Sequence, residues 1–157
     1  MVRREDLYLD LMRDIGSVLA DEDDPIIWMA TVSCLIKQRL NFFWVGFYRM
    51  VDGELRIGPY QGTLGCIRIP ANKGVCGASA SRRQTILVPD VHQFPGHIAC
   101  DFRSQSEIVV PVFDKEDKVR AVLDIDSDRR EDFGPVDQHY LESLAARMKG
   151  LEWTRVS

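Results

Sequence analysis

Two apolar runs, SEIVVPVF (106–113) and KVRAVLDIDS (118–127), are separated by the polar turn DKED. Both are rich in Val and Ile and read as strands of one hairpin. Successive strand side chains point to opposite faces. Ile108, Val110 and Val112 therefore share a face on the first strand, and Leu123 and Ile125 share one on the second. Turning both apolar faces toward one core requires the paired residue numbers to sum to an odd value. Glu107 then lies opposite Asp124 or Asp126, and directly opposed residues share a face, so three carboxylates converge on the other side. Either that side is simply wet, as one face of an antiparallel sheet often is, or something cationic or a shared proton makes the crowding tolerable.

The rest of the chain must supply the layers around this hairpin. Leu7, Leu11, Ile15, Val18 and Leu19 predict a helix over 6–20. The acidic break DEDDP places Pro25 at the first position of a second, largely buried helix that runs to Leu40. A strand over 43–50, the hairpin turn VDGE and the returning strand LRIGPYQG follow, then the short strand CIRIP. GVCGASASRRQ reads as a small-residue helix and TILVPD as a strand. Residues 91–104 form a long loop, and GPVDQHYLESLAARMKGLEW closes the chain as an amphipathic helix with Pro135 near its start. The order α α β β β α β β β α lacks βαβ alternation. It predicts an α+β fold with a central, mostly antiparallel sheet of about six strands and helices packed on it.

The 157 residues suit one domain, and 45% hydrophobic with 28% charged residues is an ordinary globular composition. A net charge of −4 and the absence of a basic block argue against nucleic acid. No run approaches the roughly 20 apolar residues of a membrane helix. The start, MVRREDLYLDLMRD, has neither the uninterrupted apolar core nor the cleavage site of a secretory signal. A cytoplasmic protein with reduced thiols is expected.

The four cysteines then need separate readings. Cys34 lies in an apolar helix and is expected in the core. Cys66, Cys76 and Cys100 lie at or near loop boundaries, and none forms a C-x₂-C pair, which argues against zinc. His92 and His97 are read as residues that orient the long loop. Cys100, in GHIACDFRSQ, stands on polar chain seven residues before Glu107. A thiol there suits redox chemistry, in which one thiolate attacks and a second cysteine resolves the oxidised product.

Taken together, NFFWVGFY, GPYQG, CIRIPANKGVCG, DVHQFPGHIACD, SEIVVP and LDIDS resemble the free methionine-(R)-sulfoxide reductases, a family built on a single GAF domain. The resemblance runs from about Asn41 to the last helix. It implies one GAF domain over 1–157 and reduction of free L-methionine (R)-S-oxide without metal or cofactor. Cys100 matches the cysteine used on the sulfoxide, Cys66 the resolving cysteine and Cys76 the third family cysteine. Glu107, Asp124 and Asp126 match the carboxylates that hold the substrate, and Trp44 and Tyr48 match aromatics lining the pocket. A sulfenic acid, an intramolecular disulfide, recycling by a thioredoxin-like reductant, a role in oxidative stress and a homodimer are implied with them. The competing expectations are a regulatory GAF module that binds a small ligand and a thiol redox sensor without turnover.

Overall fold

The computed structural model describes residues 1–156. Its elements follow the expected order: α1 (Arg4–Val18), α2 (Pro25–Leu40), β1 (Trp44–Val51), β2 (Glu54–Gln61), β3 (Arg68–Pro70), α3 (Gly74–Arg82), β4 (Ile86–Val88), β5 (Ser106–Phe113), β6 (Val119–Ser127) and α4 (Pro135–Arg147). The strands form one sheet in the order β3-β2-β1-β6-β5-β4, and every neighbouring pair is antiparallel. The β1–β2 turn places Asp52 (φ 50°) and Gly53 (φ 77°) in the left-handed region, as a tight hairpin turn demands. At the other end of β2 the chain continues to the edge strand β3. It then crosses over through α3 to the opposite edge at β4.

The two faces of the sheet are covered differently. Val45, Phe47, Ile108, Val110, Val112, Leu123 and Ile125 pack with buried residues of α1, α2 and α4. On the other face, Trp44, Tyr48, Val109 and Val122 pack with Val75, Cys76 and Ala80 of α3. The β5–β6 hairpin has the odd-sum register: Glu107 pairs with Asp126 and Val109 with Asp124.

The helices show where sequence periodicity needs correction. The buried stripe of α1 is Tyr8, Leu11, Met12 and Ile15. Val18 is 62% exposed, and Leu7 is half-buried. In α2 the Asp24 side chain caps the helix by accepting from the Ile26 amide at 2.8 Å. Its inward positions are Trp28, Met29, Val32, Ser33 and Ile36. Cys34 lies off that stripe and is partly exposed, so it is not the core cysteine its apolar surroundings suggested. α4 ends at Arg147, and a short 3-10 turn over Trp153–Arg155 follows it. α1 is clamped to α4: Tyr8 Oη donates to Asp137 Oδ1 at 2.8 Å, and Arg4 pairs with both Asp132 and Asp137. Among the described residues, no helix is long and apolar enough to cross a membrane.

Candidate functional site

The second face of the sheet carries the chemistry. β1 pairs with β6 so that Trp44 lies opposite Asp126 and Gly46 opposite Asp124. Trp44, Gly46 and Tyr48 therefore share a face with the β6 acids. Gly46 makes the aromatic layer possible, since a Cβ there would lie 2.3 Å from Tyr60 Cβ and 2.7 Å from the Trp44 ring. In the space it leaves, Trp44 stacks on Tyr60 with ring centroids 5.1 Å apart and on Tyr48 at 6.0 Å. The indole of Trp44 donates to the Thr63 carbonyl at 2.8 Å, which anchors the β2–β3 loop to the same edge of the site.

This face is not wet. The start of α3 and the loop before β5 close over it. Gly74 has φ 64°, and a Cβ there would meet Ile98 at 3.2 Å, so the glycine lets the two segments meet. Beneath them Glu107 and Asp124 are only 5% and 6% exposed, while Asp126 is partly exposed toward the pocket. The small residues of α3 allow this close cover and bury Cys76 against the acids.

Burial governs the electrostatics. Removal from water, the Asp126 charge next in importance, pushes the Glu107 carboxyl up to about 8. Asp124 and Asp126 are raised well above the ordinary carboxylate range, first by burial and then by their acidic neighbours. Asp124 lies between Glu107, Cys76 and Asp126, and ligand atoms of Cys76, Glu107 and Asp124 all lie within 4.8 Å of one another. Asp124 Oδ1 is the buried side-chain polar atom without a hydrogen-bond partner among the described residues. An acceptor held in this way lacks a donor or a cation. Burial first, then Asp124 and Glu107, also raises the Cys76 thiol, which stays protonated. The Tyr48 hydroxyl is held neutral for the same reasons.

Cys66 and Cys100 are joined as a disulfide, with Cα atoms 5.3 Å apart. It ties the β2–β3 loop to the loop before β5. A second clasp joins the same loops: Thr63 Oγ1 donates to Asp101 Oδ2 at 2.9 Å. Asp101 in turn accepts from Arg103, and these bonds hold its carboxyl below the ordinary range.

One pocket is lined by Trp44, Tyr48, Cys76, Cys100, Glu107, Asp124 and Asp126, and Cys66 adjoins it through its bond to Cys100. Every expected site residue is thus brought to one place. His97, expected only to orient the long loop, is a further member. It lines the pocket, its Nε2 is 3.5 Å from Glu107 Oε1, and burial lowers its pKa. Its place three residues before Cys100 was the available signal. Lys73 also lines the pocket, whereas His92 does not. With the disulfide closed, the pocket holds about 40 Å³ of free space, room for a few waters.

A family model described as "GAF domain" matches residues 31–149. The chain is 40% identical over 149 residues to the free methionine-R-sulfoxide reductase of Escherichia coli strain K12, covering 94% of this chain and 90% of that one. It is 42% identical over 142 residues to GAF domain-containing protein A of Dictyostelium discoideum, covering 90% and 89%. Among solved structures it superposes on the free methionine-R-sulfoxide reductase of Neisseria meningitidis in complex with its substrate. The TM-score is 0.92 at 40% identity, covering 99% of this chain and 94% of the other.

Proposed function

The chain belongs to the GAF-domain family of free methionine-R-sulfoxide reductases, and from that premise we propose that it reduces free methionine-(R)-sulfoxide to methionine, with Cys100 as the attacking thiol. The observation that carries this reading is the convergence of Cys100 and three carboxylates on one pocket, with Cys66 already bonded to Cys100.

In the proposed reaction the substrate ammonium enters the acid cluster and meets Asp124 Oδ1, the acceptor without a donor. Its positive charge draws Asp124 and Asp126 into their ionised forms. Glu107 keeps its proton near neutral pH and donates it to the sulfoxide oxygen, which makes the sulfur electrophilic. Cys100 thiolate attacks that sulfur. Methionine leaves with two more electrons than the sulfoxide had, and Cys100 becomes a sulfenic acid. The Cys66 thiol displaces the hydroxyl as water, forming the disulfide. Cys76, buried and neutral, supports the acid cluster and does not attack. Trp44 and Tyr48 wall the side chain of the substrate. In the disulfide form Cys100 has no free thiolate, so reduction of the disulfide precedes attack on the substrate. A thioredoxin-like reductant, a cytoplasmic setting, a role in oxidative stress and a homodimer complete the reading that the family resemblance implies.

The reduced protein, given dithiothreitol, is expected to release methionine from the R epimer of free methionine sulfoxide. It should leave the S epimer and peptide-bound sulfoxide nearly untouched, because a peptide has no ammonium to offer the acids. Comparable turnover of either alternative would sink the proposal. No methionine release at all would favour a sensor or a ligand-binding module instead.

The pH profile follows from Glu107. A donor must be protonated, and this carboxyl holds its proton up to about 8. Single-turnover methionine release by pre-reduced protein should therefore fall above that pH, by about tenfold per unit once the acid is ionised. Removing the acid as Glu107→Gln should remove this alkaline limb from the residual rate. A wild-type profile that stays level to strongly alkaline pH would exclude Glu107 as the donor.

A further inference from the structure

The surface around the Cys66–Cys100 disulfide differs from the rest of the molecule. Large apolar side chains exposed to solvent fall into two groups among the described residues. One group lies at the N-terminus, on α1 and in the first turns of α2 and α4. The other is Leu64, Ile67 and Phe102, exposed to 75%, 60% and 84%. Each of these three lies within two residues of one half of the disulfide, so its Cα is at most about 7 Å from a half-cystine Cα. Single exposed apolar residues are ordinary, whereas a group framing one bond marks an interaction surface.

The pocket does not explain them. Leu64 reaches its rim, but Ile67 and Phe102 are not among its lining residues. Nor does the neighbouring charge call for an ionic partner. Arg103 is paired with Asp101 at 2.7 Å, and Arg68 is paired with Glu54. The side chains left to be recognised are apolar, and they surround a bond that must be reduced once per catalytic cycle.

We infer that Leu64, Ile67 and Phe102 form the docking surface for a protein dithiol reductant of the thioredoxin kind, one whose cysteine pair is itself framed by apolar surface. The inference rests on the proposed reaction, which makes the disulfide an obligatory intermediate. A thiolate of the docked partner attacks one sulfur of the Cys66–Cys100 bond, and the other sulfur leaves as a thiolate that takes up a proton. The second partner thiol then attacks the mixed disulfide. The partner leaves oxidised to its own disulfide, and Cys66 and Cys100 leave as thiols. Two electrons and two protons pass between the proteins. A small dithiol performs the same exchange without needing the surface.

The test is reduction of the oxidised protein itself, with no sulfoxide present, which separates it from the proposed activity. The double variant I67T/F102S, at two positions outside the pocket lining, is compared with wild type. One arm uses thioredoxin with thioredoxin reductase and NADPH, the other dithiothreitol. The second-order rate constant for thioredoxin should fall at least about tenfold in the variant, the loss expected of two apolar anchors. The dithiothreitol rate should change by less than about twofold. An unchanged thioredoxin rate would overturn the inference. So would a parallel loss with dithiothreitol, which would make the two residues part of the loop structure. A variant that loses the wild-type oligomeric state by light scattering would also overturn it, assigning the surface to a second copy of the chain. Failure of the wild-type protein to release methionine is a separate readout and would remove the proposed reaction.

Discussion

Cys100→Ser is expected to release no methionine even in a single turnover, while Cys66→Ser releases about one equivalent per site and then stalls. The difference comes from placement. Cys100 and Cys76 both line the pocket that holds Glu107, Asp124 and Asp126, but burial keeps the Cys76 thiol protonated, which leaves Cys100 as the expected attacker. Cys66 adjoins the pocket through its bond to Cys100, and in the proposed reaction its role begins after methionine has left. Without Cys66 the sulfenic acid on Cys100 persists. Thioredoxin-linked turnover should then fail, and dithiothreitol should restore part of it by reducing the sulfenic acid directly. Cys34→Ser should leave both bursts intact, because this partly exposed residue lies on α2, outside the pocket lining. The measurement is free methionine per protein without reductant, for each variant in its pre-reduced state. A full burst from Cys100→Ser would overturn the assignment. Sustained thioredoxin-linked turnover by Cys66→Ser would pass the resolving role to Cys76.

The two halves of this site differ in how far the sequence reveals them. Strand pairs are local and have a fixed period, so the odd-sum rule was enough to place Glu107 opposite an acid of β6, and Asp126 is its partner. The cover over those acids is a long-range event. It depends on Ile98 closing on Gly74 and on α3 crossing from one edge of the sheet to the other, and no periodicity records either. Whether the acidic face is wet or buried therefore stayed open in the sequence. The aromatic layer was partly legible. Trp44 and Tyr48 alternate correctly along β1, but the stacking of Tyr60 on Trp44 needs the clearance at Gly46, which only the sheet register discloses. Helix faces were the least certain. Over residues 25–36 of α2 only Thr31 and Ser33 are polar, so a 3.6-residue period has little contrast to act on and does not show that Cys34 lies off the buried stripe.

Glu107→Gln should make the protein nearly inactive and at the same time more stable. The activity loss is expected to be about hundredfold or more in single-turnover release, the range for removing a general acid. The stability gain follows from linkage. The Glu107 carboxyl is raised from 4.5 to about 8 in the folded chain. A group raised in this way contributes its stability in full below the unfolded value and loses it as pH climbs through the folded one. Wild type should therefore lose melting temperature from about pH 5 to pH 8, as a buried carboxylate is forced to ionise or to hold its proton against solution. Glutamine has the same shape and cannot ionise. Its amide can also donate toward Asp124, whose Oδ1 lacks a partner. The variant should gain roughly 2–4 kcal/mol near neutral pH, several degrees in melting temperature, and almost nothing near pH 4.5. Differential scanning calorimetry of both proteins in the same redox state, across that pH range, measures the gap directly. A variant less stable than wild type by the same amount at every pH would mean that Glu107 is a packing residue and that its ionisation is not under strain. A gap that widens with pH, together with lost turnover, would identify a carboxyl kept buried and protonated at a cost to stability because the reaction needs its proton.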